Sequence, residues 1–194
     1  MMKKILSLIL AAALLLGCGS ALAETAEKTE IGSLNVVDAF TLKCAIPENY
    51  KIEVVEQTND KIIATLNCEE DITKPFVMIS IAYNDQYADV ERLNDLSDEQ
   101  LQIIESSFTD EDDVTIEYKE TGLGTKLMVV TEDVSDGVSF VDIYTIYKGF
   151  ETDFVLVPGA DVEKGEIYPL TEEAIQMLID FITGIDFVEA EAAK

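Results

Sequence analysis

The chain has 194 residues, 13 basic against 39 acidic side chains and a formal net charge of −26. It contains no histidine and no tryptophan. That balance excludes nucleic-acid phosphates as a partner, and the missing imidazole excludes Ser-His-Asp and Cys-His catalysis.

The first element is an export signal. Lys3 and Lys4 precede an uncharged, mostly apolar run from Ile5 to Leu16. A transmembrane helix needs about 20 such residues, so this run fits a secretory segment instead. Two cuts compete. Leu15-Leu16-Gly17-Cys18 reads as a lipobox that would lipidate Cys18, and Ala21-Leu22-Ala23 reads as an ordinary A-x-A site. The second predicts a free chain beginning at Glu24; the first predicts anchoring on the outer side of the cytoplasmic membrane. Either way the protein is exported. Cutting after Ala23 removes two lysines and no acid, which takes the net charge to −28. Such a charge keeps the chain soluble by self-repulsion. No other stretch is long and apolar enough to span a bilayer as a helix.

Residues 24–38 are mostly polar and read as a linker, residues 39–188 as one domain, and 189–194 as a fraying tail. Within the domain, strands are predicted near 40–46, 51–57, 61–68, 76–83, 114–120, 126–132, 138–148 and 152–157. Turn residues separate many of them: Thr58-Asn59-Asp60, Gly122-Leu123-Gly124, Ser135-Asp136-Gly137 and Lys148-Gly149. Short turns join antiparallel neighbours. Strands 76–83 and 138–148 carry apolar residues on both faces and so call for cover on both.

Two helices supply that cover. Ser97 caps the first and Gln100 completes a capping box, with Leu96 and Leu101 at the staple positions. Thr171 caps the second, with Leu170 and Ile175 as its staple and Gly184 placed as a left-handed C-cap. The predicted class is α+β, an antiparallel sheet of seven or eight strands between helical layers.

That order of elements resembles the PsbP-like family, which includes the PsbP subunit of photosystem II, a eukaryotic Ran-GTPase-binding protein and small exported bacterial lipoproteins. The residues that carry the likeness are Phe40-Thr41-Leu42 through Ile46-Pro47 and Tyr50, the turn from Gly122 to Thr125, and the closing helix from Leu170-Thr171-Glu172 to Ile185-Asp186-Phe187. Where family members carry Gly-Trp after the proline, this chain has Asn49-Tyr50. The resemblance implies a sandwich fold used for binding or assembly. It carries over neither a partner nor site residues.

The chemical motifs are few. Glu69-Glu70-Asp71 and Asp110-Glu111-Asp112-Asp113 could bind divalent cations weakly, but neither has the glycine of an EF-hand loop. They read as solvated loops, with an acidic, calcium-binding surface protein as the alternative function. Gly122-Leu123-Gly124-Thr125 lacks the Gly-Lys-Ser/Thr ending of a phosphate loop and reads as a hairpin turn. A carboxylate pair could hydrolyse glycosides, but among 39 acids such pairs arise by chance. Cys44 and Cys68 both face apolar neighbours, and either a disulfide or two buried thiols fits that facing. Of the seven tyrosines, Tyr87 and Tyr168 fall in loops and are the candidate partner contacts. The expected protein is a noncatalytic exported binding module without cofactor or metal, its partner a protein or envelope component.

Overall fold

The computed structural model describes residues 31–36, 39–68, 70–71, 73–109, 114–134, 138–161 and 163–189. The export signal, Cys18 and both cuts lie outside the described residues, as do Asp110–Asp113, Glu69 and the turn at 135–137.

Seven strands form one antiparallel sheet: β3 (Tyr50–Gln57), β4 (Lys61–Cys68), β5 (Phe76–Tyr83), β6 (Val114–Glu120), β7 (Lys126–Val134), β8 (Val138–Tyr147) and β9 (Phe150–Val157). Their spatial order is β3-β4-β5-β9-β8-β7-β6. A three-stranded and a four-stranded meander thus meet at the β5–β9 pair, which runs in register from Phe76 opposite Val157 to Tyr83 opposite Phe150. The tight β8–β9 turn needs two positive φ angles, and Lys148 (φ 52°) and Gly149 (φ 77°) supply them. The turn between β6 and β7 closes with Gly124 N–H donating to Thr121 O at 2.9 Å and Gly124 at φ 77°. It is a hairpin turn between two paired strands.

The first face of this sheet carries the larger core. Val77, Ile79 and Ile81 of β5, Ile143 of β8 and Phe154 of β9 are fully buried on it. Its cover departs from the helical layer that the sequence suggests. A second, three-stranded sheet of order β1-β2-β12 packs there, built from β1 (Ile31–Val36), β2 (Phe40–Ala45) and β12 (Asp186–Glu189). Beside it lies helix α2 (Glu172–Thr183), which buries Leu178, Phe181 and Ile182. Residues 31–36 are therefore part of the domain rather than of a linker: Leu34 and Val36 are buried while Ser33 and Asn35 are exposed, the period of a half-covered strand. β12 likewise carries the chain to Glu189, and residues 190–194 lie outside the described residues.

An aromatic cluster ties the two sheets together. Phe40 of β2 meets Tyr147 edge-on at 5.0 Å and Phe150 at 5.6 Å, and Phe187 of β12 stands 5.0 Å from Tyr147. Such pairs add to the area their rings bury.

The second face is covered by α1 (Asp98–Phe108) and the segment leading into it. Ser97 Oγ accepts from Gln100 N–H, and Gln100 Oε1 accepts from Ser97 N–H at 3.0 Å, the box anticipated from sequence. Leu93, Leu96, Leu101 and Ile104 pack on Met128, Val130, Tyr144 and Ile146. At the end of α2, Gly184 does not adopt the left-handed conformation expected of it; its φ is −83°. The chain passes directly through Ile185 into β12, so a left-handed reversal has no place there. The glycine instead leaves room beside the carbonyls of Asp180 and Phe181. No described helix is long and apolar enough to cross a membrane.

Candidate functional site

α1 lies over β7 and β8, and the second face beyond it is open to a different degree. Along β4 and β5, Ile63, Thr65, Phe76, Met78, Ser80 and Ala82 are all half-buried, whereas their neighbours on the first face are fully buried. The strand register puts Ile63 opposite Ser80 and Ser80 opposite Asp153, with Thr65 opposite Met78 and Met78 opposite Val155. These rows make one continuous surface running from half-exposed apolar side chains to a group of buried acids at the border with α1.

The acids come from the two central strands. Asp153 of β9 stands opposite Tyr144 of β8, and Asp142 of β8 stands opposite Val155. The two aspartates are therefore diagonal neighbours on one face, roughly 7–8 Å apart in backbone terms. Asp142 is 7% exposed and its Oδ1 has no hydrogen-bond partner. Burial is the main force pushing its carboxyl well above the usual range, and the charge of Asp153 adds to it. Burial also pushes Asp153 up, to about 7, with the charge of Glu151 second. At an effective dielectric near 20, two charges at such a separation repel by about 2 kcal/mol. The pair consequently titrates as a unit that retains a proton near neutrality.

Glu151 is held differently. Its Oε1 accepts from the Tyr144 hydroxyl at 2.7 Å and its Oε2 from Asn84 Nδ2 at 2.8 Å. Tyr144 holds its proton far more tightly than a free phenol, first through burial and then through that bond to Glu151. Tyr87 belongs to the same group. It packs against the α1 core, and its hydroxyl is pushed up first by burial and then by the charge of Glu151.

Of the two tyrosines singled out from sequence, Tyr87 thus borders this site. Tyr168 does not. It follows the short hairpin of β10 (Ala160–Asp161) and β11 (Glu166–Ile167), where its N–H donates to Gly159 O at 2.9 Å and its hydroxyl to Glu166 at 3.3 Å. Tyr87 lies near the β5 end that pairs with Phe150, and Tyr168 near the Val157 end of β9. Eight residues of strand, about 26 Å, separate those ends.

Cys44 and Cys68 are both free thiols. Cys44 is buried in β2 with its thiol donating to Gly32 O at 3.8 Å, and Cys68 closes β4 opposite Tyr50. They lie in different sheets, and the bridge admitted by their shared apolar facing is not formed. Burial pushes the Cys44 thiol up to about 11. Thiol titration of the unfolded, unreduced chain from Glu24 onward is expected to find two thiols. In the native state at pH 8, half-buried Cys68 is expected to react first. No free thiol in the unfolded chain would contradict this arrangement.

Asp71, the described end of one acidic cluster, spends its Oδ1 on Thr73 N–H and Oγ1 at 2.9 and 2.6 Å, a local turn. Among the described residues no group of three or more acids or cysteines is placed to hold a metal ion.

Sequence reasoning passed over Asp142, Glu151 and Asp153. The signal was present: Asp142 interrupts the face that Phe140, Tyr144 and Ile146 otherwise make apolar, and a charge on a doubly covered strand requires a reason. No protein family model matches the chain, and no curated protein matches it significantly.

Proposed function

We propose that this chain is an exported, noncatalytic binding or assembly module, and that the half-open second face of its sheet, bordered by Tyr87, is its contact surface. The observation that carries the reading is the unequal cover of the sheet. β4 and β5 are sealed on the first face, yet on the second they present Ile63, Phe76, Met78 and Ala82 half-exposed in adjoining rows. Isolated exposed apolar residues are ordinary; a cluster of half-exposed apolar side chains interleaved with Thr65 and Ser80 and bordered by acids has the mixed composition of an interaction site. The PsbP-like likeness of the sequence also favours binding or assembly. The partner is a protein or envelope component. The calcium-binding alternative gains no support from the described residues.

Capture experiments with the producing cell's envelope and medium test the proposal. Met78→Glu and Ile63→Glu place a charge on a half-exposed surface and are expected to change the thermal midpoint little, while lowering capture of the partner at least tenfold. Tyr87→Ala is expected to lower it several-fold and Tyr168→Ala not at all. Undiminished capture by both charged variants contradicts the choice of surface. Turnover of a substrate that a single Asp142 or Asp153 substitution abolishes contradicts the noncatalytic reading.

A further inference from the structure

The acids beneath the border of α1 have a second consequence. Besides Asp142, the strand register puts on this face, among the described residues, Asp153 and Glu151 from β9, Tyr144 from β8, Glu132 and Lys126 from β7, Tyr118 and Glu120 from β6, Lys61 from β4 and Lys51, Glu53 and Glu56 from β3; Glu105 of α1 and Tyr87 of the preceding segment join them. Its lysines lie apart from the aspartate pair, Lys51 and Lys61 on strands beyond β5. Lys126 lies over the Tyr118 ring at 5.0 Å, and Lys61 pairs with Glu56 at 3.2 Å. Glu151 has both oxygens bonded, whereas Asp142 Oδ1 has none. Ionising Asp142 and Asp153 together would leave two like charges with little water and no counter-ion.

We propose that Asp142 and Asp153 form a proton-dependent latch: while the pair shares a proton helix α1 stays closed on the sheet, and when both carboxylates ionise that helix lifts to let water reach them. The sheet itself is the costlier place to open, because β8 and β9 are paired on both sides along most of their length. The lead-in is pinned to the β8–β9 turn, with Lys148 N–H donating to Glu91 O at 2.8 Å and Gly149 N–H to Val90 O at 3.0 Å, and Asn94 ties it to Gly124 O and Lys126 N–H. Helix α1 itself is held by fewer ties. Leu101, Ile104 and Phe108 pack beneath it, and Glu105 accepts from the Tyr118 hydroxyl at 2.7 Å. Elements with few ties open locally before the core does. Lifting it would uncover Met128, Tyr144 and Ile146, which adjoin the half-open surface and enlarge it. The latch is a property of the isolated chain, so its test needs no partner and is independent of the binding reading.

The experiment is amide hydrogen exchange on the unbound protein between pH 5.5 and 8.5, corrected for the intrinsic pH dependence of exchange. The expected result is that amides of α1 open at least tenfold more often at pH 8.5, with β5 and β9 unchanged. Asp142→Asn is expected to remove the pH dependence, and Glu99→Gln, an exposed acid of the same helix, to leave it. Should Asp142→Asn fail to fold, carbon-13 titration of the wild-type aspartate carboxyls decides alone: one midpoint above pH 6 supports the latch, and all midpoints below 5 overturn it. Equal opening across the pH range, or opening of α1 and the sheet together, also overturns it. Reclosure at pH 8.5 on adding calcium would show a cation taking the place of the proton and overturn the proton-specific assignment.

Discussion

Phe40→Ala is expected to cost about 3–5 kcal/mol of folding stability, read as a shift in the urea midpoint at unchanged slope. Phe40 is 1% exposed and lies where the small sheet meets the large one. It touches Tyr147 and Phe150 edge-on and faces Phe187 at 6.0 Å. Removing its ring leaves a cavity between two sheets, which cannot collapse as a loop can, because each is held by its own hydrogen-bond ladder. A domain whose whole stability is about 5–15 kcal/mol loses a large share of it. Phe108→Ala, a half-buried ring 6.1 Å from Tyr144 at the end of α1, is expected to cost clearly less. A loss under about 1 kcal/mol for Phe40→Ala would mean that the two sheets do not share the core described.

The second large effect is that the protein gains stability on mild acidification. Asp142 and Asp153 hold their protons more tightly folded than unfolded, Asp153 up to about 7. Between the ordinary aspartate value near 4 and that value, the folded state binds more protons than the unfolded one. Stability therefore falls as the pH rises through this window, and the contribution is fully present below it. For one group the slope is about 1.4 kcal/mol per pH unit, so the span amounts to on the order of 2 to 4 kcal/mol once the water reaching half-buried Asp153 is allowed for. The general charge of −26 pushes the same way by self-repulsion. Asp153→Asn separates the two sources: it is expected to flatten the curve between pH 4.5 and 7, whereas neutralising exposed Glu99 leaves its shape. A stability maximum above pH 7 would contradict the buried pair.

How far the sequence reached depended on whether its signals were local. All eight strands it indicated exist, the ends of β5 and β6 falling at the residues expected, because alternation and turn residues are properties of a few neighbours. Ser97 with Gln100 and Thr171 with Ala174 N–H at 3.2 Å are equally local. What it missed depends on distant partners. β1 is short, and its alternation acquires meaning only because β2 pairs with it from Val36 opposite Phe40 to Ile31 opposite Ala45. β12 is four residues long and lies beside β2 across the whole length of the chain. A glycine after a helix signals a left-handed end when a loop follows, and α2 runs almost directly into a strand. The acidic site is hidden for the same reason: Asp142 and Asp153 lie 11 positions apart, and only the β8–β9 register makes them neighbours.

The central claim is that the half-open second face, and not the loops at large, makes the contact. Covalent footprinting of the wild-type protein with and without envelope extract tests it most directly. Ile63, Phe76, Met78 and Tyr87 are expected to be protected in the presence of the partner, with Tyr168 and Ile167 unchanged. Protection confined to the hairpin at 160–167, or to the exposed edge of β3 at Val54 and Val55, would contradict it.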